Sequence, residues 1–412
     1  RDMLCNRRRR SDAREAPSGD PIRSFSVGHV YSTKNNPMTG IALPAWISIL
    51  WRWRSAIEWR TYFVRICFLT LMACINTIFS ILDWIFFART IARASIHKRP
   101  VFVLGHPRTG TTLLHNLLSQ DDVQFIYCST FQAGFPHGFG CLNSISWIFS
   151  GVIDSTRPMD NMKLSLDLPQ EDELATNLLS YGRSQYMSIF LMRQASTSTL
   201  QSYVSFDDAS AEDTRLWCDA FRYLLRKLSA VNDGGRGQRR LLLKSPVHTG
   251  RVKLLLKLFP EAQFIYLHRD PYRVYQSAAN MADKAYPFMY LNTPDDLEIQ
   301  EFILSQFTQL HRLYVRDRGL IPKANLLELP FKTLTSDPVK AVEKIYTHFG
   351  WSGFGDLAPK LKKFQSQNKG YKKNNFVPLS SAERKMVASR WREAFEEFGY
   401  PLDDEKKHSA CN

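Results

Sequence analysis

The segment Val103-Leu-Gly-His-Pro-Arg-Thr-Gly-Thr-Thr-Leu-Leu114 places Gly105 and Gly110 at the G-x-x-x-x-G spacing. It lies between an apolar run that reads as a strand, Pro100–Gly105, and a run that reads as a helix, Thr111–Ser119. A loop of this kind turns backbone N–H groups and a helix N-terminus towards an anion. The residues after Gly110 narrow the chemistry. A nucleoside triphosphatase has Lys and then Ser or Thr there, to grip phosphate and Mg²⁺. Here Thr111 and Thr112 follow, and the cation stands inside the loop, at Arg108.

A second block lies far along the chain. Leu241-Leu-Leu-Lys-Ser-Pro-Val-His248 is followed by Ala262–His268, an apolar run ending at Arg269, and by a helical stretch from Pro271 that carries Ser277. Arg269 ends a buried strand, at the edge where open α/β sheets bind ligands. Ser277 lies about two turns along the next helix. Alone, Arg269 fits a salt bridge to Asp270, and Ser277 an ordinary helix-surface serine. Together they read as an anion site. Lys244 also ends a strand, where it either reaches the same edge or is a surface cation.

The sequence PRTGTT followed by LLHNLL resembles the 5′-phosphosulfate loop of sulfotransferases that use 3′-phosphoadenosine 5′-phosphosulfate (PAPS), in the broad bacterial and protist P-loop branch. The resemblance covers roughly residues 100–400. It implies that Thr109, Gly110, Thr111 and Thr112 hold the phosphosulfate, while Arg108 stabilises the bridging oxygen. It implies that Arg269 and Ser277 hold the 3′-phosphate. Lys244-Ser-Pro-x-His248 resembles a recurrent strand-end motif of that family, and Asn368–Asn374 falls loosely where members carry a cofactor-closing segment. No metal is required for this reaction. A monoanionic sulfuryl group leaving a nucleotide phosphate can be served by one guanidinium and several N–H and O–H donors.

The implied reaction also needs a base for the acceptor hydroxyl, ionised and within hydrogen-bond reach. Thr156–Asn161 leading into Pro169-Gln-Glu-Asp-Glu173 resembles the same branch, with Glu171 as the leading base and Glu173 in reserve. Acids just after Pro169 also complement a helix dipole, so the pattern has a second explanation. His248 is the next candidate base. His106, inside the loop, is placed to contact the acceptor, and His115 reads as a helix-surface residue. The function implied is sulfuryl transfer from PAPS to an acceptor alcohol, whether lipid, glycan or small metabolite. Two alternatives stand beside it: a P-loop small-molecule kinase, and a membrane-anchored binding protein with an inactive sulfotransferase fold.

The elements that must position these groups form an α/β pattern. Short apolar runs at Leu241–Lys244, Ala262–His268 and Asn325–Phe331 read as further strands. They alternate with helical stretches at Glu171–Tyr181, Ala211–Val231, Thr249–Phe259, Pro271–Ala285, Asp295–Arg318 and Ser381–Phe398. The fold class expected is a P-loop-like, doubly wound parallel sheet flanked by helices, preceded by an N-terminal apolar helix. The aromatic residues Phe131, Phe135, Phe139, Trp147 and Phe149 fit an apolar acceptor wall or simply core.

Hydrophobic residues make up 44% of the 412 and charged residues 23%, enough for a sizeable core. The net charge of +15 suits an anionic ligand. No zinc-finger spacing or interleaved aromatic and basic signature points to nucleic acid. Residues 1–43 read as a flexible basic arm, 44–99 as an apolar helical segment, 100–400 as the catalytic domain and 401–412 as a tail. Tyr62–Ala88 is largely apolar, with an uncharged core at Ile66–Leu82 and flanking Trp51, Trp53, Trp59 and Trp84. Its length and belt predict a membrane-associated protein, with the helix spanning once; a helix lying in the membrane plane or buried against the catalytic domain is the alternative. The seven cysteines are scattered; a Cys128–Cys141 bridge stays open.

Overall fold

The computed structural model describes residues 22–25, 35–152, 154, 156–157, 162–367 and 376–402. Five short apolar runs form one parallel sheet: β1 (Val101–Leu104), β2 (Phe125–Tyr127), β3 (Arg240–Lys244), β4 (Gln263–His268) and β5 (Leu326–Pro330). The strand order is β2-β3-β1-β4-β5. Val101 is in register with Leu242 of β3 on one side and Gln263 of β4 on the other. Alternate residues go to opposite faces, as the two-residue period requires. Phe102, Leu104, Leu243 and Phe264 enter one core cluster, while Val101, Val103, Leu242 and Ile265 enter another. Both faces are covered, which is why the strands read as unbroken apolar runs. The chain leaves β1 for one side of the sheet and later returns to its other side. The crevice at the C-terminal end of β1 is therefore a topological switch point, the usual ligand site of such sheets.

The expected doubly wound architecture is what the chain adopts, with local differences. β2 has no counterpart in the sequence reading, because three residues are too few for a periodic signal. The expected helix over Thr249–Phe259 divides into a 3₁₀ turn, Pro246–Gly250, and a helix, Val252–Leu258. The closing helix divides at Trp391 into Ser381–Arg390 and Arg392–Phe398. Cys128 and Cys141 are both free thiols.

The N-terminal region departs furthest from expectation. Residues 1–21 and 26–34 of the expected arm lie outside the described residues, as do Asn368–Asn374 and the tail from 403 onward. The described parts of that arm are packed. The backbone N–H groups of Ile22 and Phe25 donate to Gln300 (3.0 Å) and Asp296 (2.8 Å) on the helix Asp296–Asp317. Met38 and Ile41 are fully buried. Asn76 donates to the carbonyls of Thr39 (2.8 Å) and Ile41 (3.1 Å), so the short turn Pro37–Gly40 is held against the apolar helix.

After α1 (Leu43–Arg52) comes that helix, α2 (Phe63–Arg93). It is long and apolar enough to cross a membrane by composition. It is nevertheless a wall of the globular domain. Ile66, Leu69, Ala73, Asn76, Asp83 and Ile91 face inward along its length. Asp83 is ion-paired with Lys227 of the helix Ala211–Asn232, both side chains being essentially inaccessible. Its carboxylate also accepts the backbone N–H of Cys141 (2.7 Å). The opposite face keeps Leu71, Ile75, Ile78 and Ile85 exposed. A helix docked by a buried ion pair to the middle of its own domain is not a separate membrane segment, and the expected membrane-associated location is corrected accordingly.

Candidate active site

β1 delivers the chain to the switch point at Leu104, and the loop from Gly105 to Gly110 turns there into α3 (Thr111–Leu118). Gly105 has φ +139°, and a Cβ on it would lie 2.6 Å from the Leu267 carbonyl oxygen, so only glycine fits. Its N–H donates to Thr249 Oγ1 (2.8 Å). Thr109 Oγ1 closes the loop by donating to the His106 carbonyl (2.8 Å). Gly110 has φ +98°, and a Cβ there would meet the Phe331 ring at 2.4 Å. Arg108 also has positive φ, +78°, a costly conformation for a side chain of this size. The N-cap residue of α3 is Gly110, which has no side chain to cap it, so the helix start presents first-turn N–H groups suited to an outside acceptor.

The two distant blocks of sequence meet at this loop. Arg108 Nε donates to Ser277 Oγ at 3.0 Å, and Arg269 Nη1 donates to the Arg108 carbonyl at 3.0 Å. The helix Pro271–Ala285, started by Pro271 and capped by Asp270, brings Ser277 into range. Arg269 lies over the Phe331 ring, 4.4 Å from its centroid. Burial, together with the charges of Arg108 and Arg273, pushes the Arg269 guanidinium down to about 10. Cations crowded against one another in this way favour an anion among them.

A second cluster adjoins the first through Thr112. Its Oγ1 lies 3.3 Å from Arg157 Nη1 and 3.5 Å from Lys244 Nζ. Lys244 in turn pairs with Glu171 Oε1 at 2.8 Å, and the Tyr186 hydroxyl donates to Glu171 Oε2. The Lys244 side chain is 2% exposed and that of Glu171 22%, so the carboxylate is the partner that reaches open space. Burial acts to raise the Glu171 pKa. The charge and hydrogen bond of Lys244, the Tyr186 hydroxyl and the charge of Arg157 outweigh it, and the carboxyl lies below its ordinary value. Burial lowers Lys244 from its ordinary value, against the pull of Glu171. At 2.8 Å, with the pair isolated from solvent on the lysine side, we assign both groups their charges.

Three consecutive acids at the start of the helix Asp172–Leu179 take three separate bases from Lys244–Arg251. Asp172 pairs with His248 Nε2 (2.6 Å) and accepts the Lys244 N–H (3.0 Å). Glu173 pairs with Arg251 Nη1 (2.7 Å) and accepts from Ser184 Oγ (2.6 Å). Asp172, Glu173, His248 and Arg251 are all buried. Glu173 and His248 therefore serve the scaffold, and neither is placed to take a proton from an external group. His106 turns from the site onto Phe307, 4.7 Å between centroids, and burial lowers it to about 3. His115 is not on a surface either: it is buried, with Nε2 3.3 Å from the Leu242 carbonyl.

Glu171, Tyr186, Arg157 and loop residue Pro107 form one end of a cavity of about 240 Å³ with a mainly apolar lining. Of the aromatic residues expected to line an acceptor wall, Phe135 does so; Phe131 and Phe139 are core. Phe149 packs on Phe135 from behind (4.8 Å), and Trp147 is exposed. Tyr186 was missed by the sequence reading; Arg157 lay inside the Thr156–Asn161 stretch and Phe331 at the end of the expected last strand, with no site role given to either. The fold brings Arg157 to Thr112, Phe331 to Gly110 and Tyr186 to Glu171.

Residues 100–356 match the model of a family described as the sulfotransferase family. Two curated relatives, from Mycobacterium bovis and Mycobacterium tuberculosis, carry the name omega-hydroxy-beta-dihydromenaquinone-9 sulfotransferase Stf3. Each is 29% identical over 361 residues, covering 88% of this chain and 90% of its own. Among solved structures, sulfotransferase STF1 from Mycobacterium tuberculosis superposes with a TM-score of 0.62 at 17% identity, covering 87% of this chain and 93% of its own. Sulfotransferase STF9 from Mycobacterium avium gives 0.60 at 17% identity, covering 88% and 98%. These likenesses span more of the chain than residues 100–400 alone can supply. The shared globular fold thus extends into the N-terminal region, which agrees with the correction made for α2.

Proposed function

The chain belongs to the sulfotransferase family and is an enzyme that transfers a sulfuryl group; from that premise we propose that PAPS is its donor and a hydroxyl its acceptor. One observation carries this reading: the direct hydrogen bonds that tie Arg269 and Ser277 to Arg108, beside the Glu171–Lys244 pair. The name of the curated relatives, which specifies an omega-hydroxy acceptor, supports a hydroxyl here. The cation cluster and the uncapped α3 N-terminus fit a nucleotide carrying both a 5′-phosphosulfate and a 3′-phosphate. The donor supplies an activated sulfuryl group whose leaving group is adenosine 3′,5′-bisphosphate.

Each residue then has a task. Thr109, Gly110, Thr111 and Thr112 hold the 5′ end through N–H and O–H groups, and Arg108 offsets negative charge on the departing oxygen. Arg269 and Ser277 hold the 3′-phosphate. Glu171 takes the acceptor proton, and Tyr186 and Lys244 fix its two oxygens so that it stays ionised at neutral pH. Lys244, within reach of Thr112, also faces the sulfuryl position. Holding donor and acceptor together removes much of the entropic barrier.

The test is transfer of labelled sulfate from PAPS to a pool of alcohols by the full chain and by Glu171→Gln. The expected result is a fall in kcat of about 10²–10⁴-fold, in line with the loss of a general base, with bisphosphate binding retained. Undiminished turnover by the variant would remove Glu171 from the mechanism.

A further inference from the structure

Resting on the sulfotransfer reading above, the cavity beside Glu171 also defines what kind of alcohol can enter. Its body is walled by apolar side chains, among them Phe135, Leu166, Leu174, Ile189, Phe190 and Met281. Its charged groups, Arg157 and Glu171, lie together at the Thr112 end. Of the polar side chains elsewhere in the lining, all but Tyr286 and Gln306 are engaged within the protein. Asn35 is bonded to Asp154 (2.6 Å), and Asn36 bridges the Phe288 carbonyl (3.0 Å) and the Met38 N–H (2.9 Å). Thr39 donates to the Asn36 carbonyl (2.7 Å), Thr130 to that of Leu168 (3.0 Å), and Gln170 accepts the Glu171 N–H (3.0 Å). A sugar or a charged metabolite would lose its hydration here and find few partners in return.

One wall comes from outside the region that matches the family model. The turn Pro37–Gly40 lies against the helix Thr130–Gly134 so closely that a Cβ on Gly40 would fall 1.7 Å from the Gly134 carbonyl oxygen. Asn76 of α2 fixes the turn from behind. We propose that the acceptor is an uncharged alcohol whose hydroxyl ends an apolar hydrocarbon body, and that residues 35–40, packed on Gly134, form the wall that limits the size of that body.

Gly134 offers a clean test. It lines the cavity, and a Cβ added to it meets nothing within 4 Å. Gly134→Leu therefore starts its side chain in open space beside the cavity. Butanol, octanol, dodecanol and galactose would be compared as acceptors for PAPS with the full chain. Each methylene the cavity buries should raise kcat/KM by about threefold to fourfold until the space is filled. Gly134→Leu should lower dodecanol turnover by about tenfold or more while leaving butanol little changed. If the variant does not fold, Ile189→Phe narrows the same space.

Galactose turned over as well as octanol, or equal losses on butanol and dodecanol in the variant, would overturn the inference. Adenosine 3′,5′-bisphosphate titration separates the two claims. Binding with turnover of galactose alone sinks the apolar acceptor and leaves the donor reading standing. Absent bisphosphate binding sinks the donor reading. In that case thermal stabilisation by dodecanol, present in the wild type and lost in Gly134→Leu, still decides the cavity.

Discussion

At Glu171 two effects oppose each other. Burial favours the neutral acid, whereas Lys244 at 2.8 Å and the Tyr186 hydroxyl favour the carboxylate, and the second effect prevails. A base held below the ordinary carboxylate value is lost only as pH falls through that lowered value, so kcat/KM should keep its plateau to correspondingly acid pH. Lys244→Met removes the largest opposing pull and leaves burial in command, so the Glu171 pKa rises and the acid limb moves to higher pH. A pH–rate profile of the variant checks this; an unmoved limb would mean that the limb belongs to another group. Arg108, Arg269 and Ser277 were readable as one group from a loop, a strand end and the following helix taken with the family resemblance, and the structure brings their side chains together. The proposed base was harder to choose, because Glu171, Asp172 and Glu173 are adjacent in sequence and equally suited to a helix start. Only packing shows that Asp172 and Glu173 each have a buried basic partner while Glu171 opens onto a cavity. Tyr186 gave no signal, since it reaches Glu171 across an irregular segment.

At the scale of the element, α2 owes its place to the Asp83–Lys227 pair. Lys227 also donates to the carbonyls of Pro136 (2.8 Å) and His137 (3.1 Å), so one buried ammonium joins three parts of the chain. Asp83→Ala leaves that charge inside without its counter-ion. It should destabilise the fold by about 3–5 kcal/mol, seen as a lower Tm. Asp83→Leu combined with Lys227→Met should recover most of the loss, because a buried pair replaced by apolar groups of similar volume is often neutral. A double variant as unstable as Asp83→Ala would show that the pair does more than neutralise itself. The helix itself was readable from its apolar length, and its docking against the domain stood only as the alternative to a membrane location. Asp83 and Asn76 are the points at which the helix is tied to the domain. A lone acid in an apolar helix demands a partner, and that demand was the available clue.

Over the whole molecule, the parallel sheet gathers residues separated by more than 160 positions into one crevice. Thr112, Glu171, Lys244 and Ser277 come from four different stretches: Thr112 and Ser277 lie on helices that follow strands, Lys244 ends β3, and Glu171 stands at the start of the helix Asp172–Leu179. The alternation of short apolar runs with amphipathic helices made this architecture legible. The packing of residues 35–43 was not, because their few apolar residues show no period and gain meaning only from the cavity wall they complete. The account stands on the pocket around Arg108 and Arg269 accepting the donor nucleotide without a metal. Calorimetric titration of adenosine 3′,5′-bisphosphate into the full chain, in the presence of a divalent-metal chelator, tests this most directly. Saturable binding is predicted, weakened by about tenfold to a hundredfold in Arg269→Ala, as expected for losing a charge-assisted contact. No binding with chelator present, or binding unchanged in the variant, would contradict it.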